Sequence, residues 1–257
     1  MKNSYRRFAL VNLIGLVLSG WLVTWISRSG TLDFWIERQF FDPLTHRFPL
    51  KNAHQLVFLG HTLLKNVTAV GLIVALALAL ASSWGAYLKP WRRALATFCL
   101  MATGSALLVQ GIKDHSVHAC PWDLAMYGGR DAWYPLFDRM HAVVEMGRCW
   151  PGGHASGGFA IIAGYFALRT QRPQWARAAL VLGLALGTVM GGVQMVRGAH
   201  FLSHNLWTLW FVWAMCFTMD GLIQVVSRCW PRRRGIAAAL DSMRAAVRAD
   251  ELTDAAM

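Results

Sequence analysis

Charge is scarce in this chain. Only 15% of its 257 residues are Asp, Glu, Lys or Arg, against about 25% in soluble domains. Hydrophobic residues make up 56%, above the roughly 45–50% of a soluble fold. That shortage, with several long apolar runs, excludes a soluble globular domain and indicates an integral membrane protein. Acidic residues are the scarcer kind: 13 stand against 25 Lys and Arg, a net charge of +12. So basic a chain suggests nucleic acid as a partner. The positions argue against it, because Lys and Arg gather at the ends of apolar runs, the pattern of membrane anchoring. An anionic lipid surface or substrate fits better. No tandem repeat or low-complexity segment stands out, and one helical bundle fits better than two domains. The five cysteines include no Cys-x-x-Cys pair, which weighs against a metal centre.

The apolar runs predict an all-α fold, a polytopic membrane bundle of about six transmembrane helices. A span needs roughly 20 residues. Residues 8–26 supply the first. No small-residue cleavage site follows, so this run reads as a span and not as a signal peptide. Asp33 to Phe41 reads as an interfacial helix with aromatic anchors. His54 to Leu64 is too short and polar for a confident span. Residues 66–88, 94–112, 155–168, 178–195 and 204–226 supply the other five. Residues 1–234 then form the membrane domain, and 235–257 a tail with no evident chemistry.

Basic segments sit at the start, around Lys89-Pro90-Trp91-Arg92-Arg93, around Arg169, Arg172 and Arg177, and after residue 226. The positive-inside rule puts these segments and both termini in the cytoplasm. The loops holding Lys113, His154 and His200 then share the opposite side, the periplasmic face of a bacterial-type inner membrane.

Three stretches on that side carry ionisable residues. Trp150-Pro151-Gly152-Gly153-His154-Ala155-Ser156 opens a helix, and a Pro-Gly-Gly start lets the backbone turn tightly against a ligand. Helix N-termini suit anions such as phosphate. Lys113 ends a span and is followed by Asp114, His115, His118, Cys120 and Asp123, a density beyond what anchoring needs. Gln194 to Asn205 contains Arg197, His200 and His204, which share one face if the stretch is helical. The bland reading of each is an interfacial anchor or an ordinary helix start. The His200/His204 spacing also admits a metal, but no carboxylate or zinc-helix Glu accompanies it. Cys120 and Cys149 both lie in the outer loop, where a disulfide would tie the Lys113 segment to the Pro151–His154 turn. Two unpaired thiols are the alternative.

Together the stretches resemble the type 2 phosphatidic acid phosphatase superfamily. Lys113, six residues, then Cys120-Pro121 is similar to its Lys, six residues, Arg-Pro signature. Pro151-Gly152-Gly153-His154 resembles Pro-Ser-Gly-His. Gly198-Ala199-His200, three residues, His204 resembles the end of a signature reading Ser-Arg, five residues, His, three residues, Asp. The departures are Cys120 for Arg, Gly152 for Ser, Gln194 for Arg with Arg197 about one turn later, and His204 for Asp.

The resemblance implies metal-independent phosphoryl transfer without a cofactor. His200 would be the nucleophile and His154 the general acid. Lys113 and Arg197 would hold the phosphoryl oxygens, with N–H groups of Gly152 and Gly153. Arg130 or Arg148 could replace the missing loop Arg. His204, Asn205, Asp114 or Asp123 could orient His200. A lipid phosphate or pyrophosphate is the expected substrate, such as phosphatidic acid, phosphatidylglycerophosphate, isoprenyl pyrophosphate or a lipid A phosphate. A lipid phosphotransferase uses the same chemistry. A non-catalytic phospholipid binder or transporter is the reading from a different class.

Overall fold

The computed structural model describes residues 2–138 and 146–227. It is helical, and among the described residues the only β-type pairing is two isolated bridges. Helix α1 is Lys2–Ser29 and α2 is Thr31–Glu37. Helix α3, Leu64–Ala81, is led by a short turn His54–Leu56 and a π-helical stretch Val57–Leu63. Helix α4 is Arg92–Asp114. Helices α5, Gly153–Phe159, and α6, Ala163–Leu168, are joined by the 3-10 turn Ala160–Ile162. Helix α7 is Pro173–Val196 and α8 is Leu202–Ser227.

Among the described residues, five helices are long and apolar enough to cross a membrane: Ser4–Ser29, Leu64–Ala81, Lys89–Asp114, Pro173–Val196 and Leu202–Ser227. The sixth expected span, 155–168, lies in α5–α6. It is short and broken by its 3-10 turn, and it is buried at the bundle centre. Ala155, Phe159, Ile162, Ala163 and Phe166 are all closed off from the surface. Small residues permit this: a side chain at Gly183 of α7 would meet Ile162 at 2.9 Å, and one at Gly164 would meet Ala179 at 2.8 Å. Close backbone approach of this kind is how membrane helices gain contact without a hydrophobic drive between them. Helix α3 is the opposite case, with no buried residue. The segment 54–63, read as too short to span, is instead a helical lead into α3.

The chain forms one compact unit over Met1–Phe217 and a second over Thr218–Met257. The described part of the second is the end of α8. The expected tail 235–257 and its boundary at 234 lie outside the described residues. Within the first unit α8 is fastened to α1 by three tryptophans spaced three apart. Trp207 Nε1 donates to Ser27 Oγ, Trp210 Nε1 to the Leu16 carbonyl and Trp213 Nε1 to Asn12 Oδ1. An indole N–H in an apolar layer needs such an acceptor.

The basic turns meet at one end. Arg169 lies over the ring of Phe8 at 3.9 Å, and Arg172 over Trp91 at 4.0 Å. Helix α4 carries the chain from Trp91 to Lys113, about 35 Å at 1.5 Å per residue. The loops with Lys113, His154 and His200 therefore lie at the other end.

Candidate active site

Each functional stretch is shaped by its local backbone. The chain leaves α7 through Arg197, then Gly198 at φ 75°. Gly198 N–H donates to the Met195 carbonyl and Ala199 N–H to the Gln194 carbonyl. This pair of bonds is a Schellman stop, which needs a left-handed residue at the position after the cap. A side chain at 198 would also meet the Phe48 ring at 2.5 Å. The condition under which Arg197, His200 and His204 would share a helical face is therefore not met. Residues 197–201 are not helical, and α8 begins at Leu202.

The break still brings imidazoles together. The rings of His154 and His200 have centroids 5.9 Å apart, and those of His200 and His204 5.8 Å. His200 is 3% exposed. Burial, then the neighbouring His204, His154 and Lys113, hold its pKa well below the ordinary imidazole value. It is neutral near pH 7, with one ring nitrogen unprotonated. His154 stands in the first turn of α5, half-buried. Lys113 crosses directly over that turn: a side chain at Gly153 would meet Lys113 Cδ at 3.2 Å. Its Nζ donates to the Arg148 carbonyl at 2.6 Å.

The two outer-loop segments are laced together. Arg148 N–H donates to the Ser116 carbonyl, and Cys149 N–H to the His118 carbonyl. Cys120 and Cys149 form a disulfide with Cα atoms 5.1 Å apart. Trp122 N–H donates to the Gly198 carbonyl, which fastens the third stretch to the first. Cys120, Cys149 and His200 present ligand atoms within 4.8 Å of one another, the one such group among the described residues. Metal binding needs thiolates, and here the two sulfurs are bonded to each other.

The other expected residues are placed as follows. The Gly152 N–H is taken by the His204 carbonyl at 3.1 Å, so it is not open to an anion as expected. Gly153 opens the helix, where N–H groups lack intrahelical acceptors. Arg148 is exposed, with its carbonyl on Lys113. Arg130 sits in the exposed turn after Gly128-Gly129, its N–H on the Asp123 carbonyl, and no contact joins it to the histidines. Arg197 is buried, donating to the Lys51 carbonyl and, through a terminal nitrogen, to Gln194 Oε1 at 2.9 Å. Its charge thus reaches back to position 194, where the resemblance places an Arg. Asn205 packs against Gly152: a side chain there would meet Asn205 Oδ1 at 2.5 Å. Asp114 accepts from Gln110, and Asp123 from the Trp122 indole. Among the described residues, no carboxylate hydrogen-bonds His200.

Sequence reading missed Asp33. It lies on α2, 2% exposed, and accepts hydrogen bonds from Ser203 N–H at 2.9 Å and Ser203 Oγ–H at 2.5 Å. Ser203 is in the first turn of α8, next to His204, so Asp33 caps the helix that carries the third stretch. Its separation of 170 residues from Ser203 hid this. Acidic residues near an interface give no signal of which helix they will face.

From Lys113, Gly153 and His154 a cavity of about 680 Å³ runs inward past Thr68, Phe98 and Met190. It lies between α3, α4, α5 and α7, and its far lining is apolar. Its volume is that of a ligand pocket, roughly 300–1,000 Å³.

Fold and site define a helical membrane protein in which Lys113 and His154 line an apolar cavity and His200 packs beside His154. The PAP2 superfamily model matches residues 94–230, more than half of the chain, and the protein belongs to that superfamily. The family read from the three stretches is thereby borne out. No curated protein and no solved structure matches the chain. Family and apolar helices together fit a membrane phosphatase.

Proposed function

We propose that the protein hydrolyses a lipid phosphate or pyrophosphate at the outer face of the inner membrane, through a phosphohistidine. The supporting observation is that Lys113 and His154 line the apolar cavity and that the His200 ring lies 5.9 Å from that of His154. A phosphate beside them can meet both histidines while its lipid chain lies among α3, α4 and α7.

The neutral His200 attacks phosphorus with a ring lone pair. The bond to the leaving oxygen breaks, and His154 supplies the proton that the departing alkoxide needs. Lys113 lies over Gly153, close enough to the helix start to offset the charge growing on the phosphoryl oxygens. Arg197, tied to Gln194, contributes positive potential from behind, and Arg148 from the loop. In the second half His154 accepts a proton from water as the water attacks the phosphohistidine. No residue in this sequence of steps needs a metal or cofactor. The lipid bilayer is the partner, and the +12 charge reflects its anionic surface and not nucleic acid.

The test is phosphate release by detergent-purified protein from a panel of lipid phosphates and pyrophosphates, with EDTA present, for wild type and His154→Ala. Release that survives EDTA and falls by at least about a hundredfold in the variant is expected, since general acid catalysis contributes roughly 10²–10⁴. A folded protein that releases nothing from any lipid would instead favour a binder, or a phosphotransferase lacking its acceptor.

A further inference from the structure

Cys149 stands where the three functional stretches meet. Its N–H is on the His118 carbonyl and its sulfur is bonded to Cys120. The same sulfur lies 3.3 Å from His200 Nδ1 and 2.9 Å from the Ala199 carbonyl oxygen. The position that the family resemblance assigns to an orienting Asp holds His204, whose Nδ1 is buried without a partner. What fixes His200 must come from elsewhere, and Cys149 is the residue against it, by its backbone as well as by its sulfur.

A disulfide sulfur carries no hydrogen. It can accept a hydrogen bond weakly and can donate none. Contact with Nδ1 is therefore favourable only when Nδ1 holds the imidazole proton. A neutral imidazole has a single N–H, so that proton leaves the Nε2 lone pair free. We propose that the Cys120–Cys149 disulfide is the positioning element of His200, holding the proton on Nδ1 so that Nε2 is the nucleophile.

The proposal rests on the reading of His200 as nucleophile, and it makes that nucleophile redox-sensitive. A dithiol reductant breaks the S–S bond, becomes a cyclic disulfide itself, and delivers one hydrogen to each cysteine sulfur. The Cys149 S–H is then a donor, with Nδ1 and the Ala199 oxygen as its acceptors. A thiol directed at Nδ1 favours the lone pair there and the proton on Nε2, which blocks attack. Reduction also frees the Cys120 segment from the Trp150–His154 turn. The reduced enzyme is the slow one.

The experiment is ¹⁵N nuclear magnetic resonance of ¹⁵N-histidine-labelled full-length protein in detergent, before and after dithiothreitol, with His200→Gln to assign the signal. The oxidised protein should show the Nδ1–H tautomer of His200, and reduction should shift the population toward Nε2–H. Lipid phosphate release should fall at least about tenfold on reduction, since a wrong-tautomer catalytic imidazole loses up to roughly 10⁴. Cys120→Ala keeps the Cys149 thiol, whereas Cys120→Ala with Cys149→Ala has neither staple nor thiol. A role as a mere staple leaves their His200 spectra alike, and the proposal requires them to differ. Where the variants fail to fold, reduction of the folded wild type decides. An Nε2–H tautomer in the oxidised protein, or unchanged tautomer populations after complete reduction, overturns the proposal. A tautomer shift in a protein that hydrolyses no lipid phosphate would sink the phosphatase reading and leave the positioning role standing.

Discussion

Gly152 illustrates how one residue answers another across the site. The resemblance leads one to expect Ser at this position. Asn205 Oδ1 occupies the space that any side chain there would need. Gly152 also gives its N–H to the His204 carbonyl and its own carbonyl to the Thr208 hydroxyl. Restoring the family residue should therefore harm this protein. Gly152→Ser is expected to cost about 1–3 kcal/mol, the range for overpacking a closed site. Adding Asn205→Ala should return part of that loss. Melting temperatures of the two single variants and the double variant check this, and simply additive losses would contradict the coupling. The sequence displayed both substitutions, Gly152 and Asn205, but not that they are one event. Nor did Cys120, standing in place of a phosphate-binding Arg, show that it serves as half of a staple. Pairings of this kind depend on distances that residue order does not carry.

At the scale of single elements, α2 was legible in outline but not in which face it buries. Its aromatic residues and position predicted an interfacial helix from Asp33 to Phe41, and Thr31–Glu37 is helical. Its two acidic residues are Asp33 and Glu37. Both are buried, four residues apart on one face. Asp33 is held by Ser203 and caps α8. Burial pushes its pKa up to about 6 against those hydrogen bonds. Glu37 has no hydrogen-bond partner for either oxygen, and burial, then the Asp33 charge, pushes its pKa up to about 9. The folded protein therefore keeps a proton on Glu37 that the unfolded chain loses above about 4.5. Stability falls from this group as pH rises between those two values. Glu37→Gln removes that slope. It should leave stability near pH 4.5 little changed and raise it at pH 8 by an amount of order a few kcal/mol. Thermal melts across that range test this, and parallel pH profiles for variant and wild type would contradict it. Helix α7 shows the converse, an element whose end was legible only in part. Gly198 stops the helix by a left-handed turn. That turn separates Arg197 from His200.

Across the molecule, hydropathy alone located every long helix among the described residues, because a bilayer demands long uninterrupted apolar runs. It failed for α5–α6, where burial inside protein removes the need for a full span. Charge at the helix ends gathered the basic turns on one side, and the Arg169–Phe8 and Arg172–Trp91 contacts place those turns together. The site at the other end was legible as three stretches of motif. Its assembly was not, since it depends on the Schellman stop, the Asp33 cap and the disulfide, all set by contacts between distant segments. The cavity between α3, α4, α5 and α7 left no trace in residue order either. The apolar cavity lined by Lys113 and His154, with His200 beside His154, makes lipid phosphoryl transfer the central claim.

The most direct measurement of that claim is the covalent intermediate itself. Protein given a lipid substrate labelled with radioactive phosphate, then quenched in base, should carry acid-labile, base-stable label on the peptide containing His200. The label should form more slowly in His154→Ala, which lacks the acid for the leaving alkoxide, and be absent in His200→Ala. Turnover without any labelled peptide, or label that persists in His200→Ala, would contradict the account.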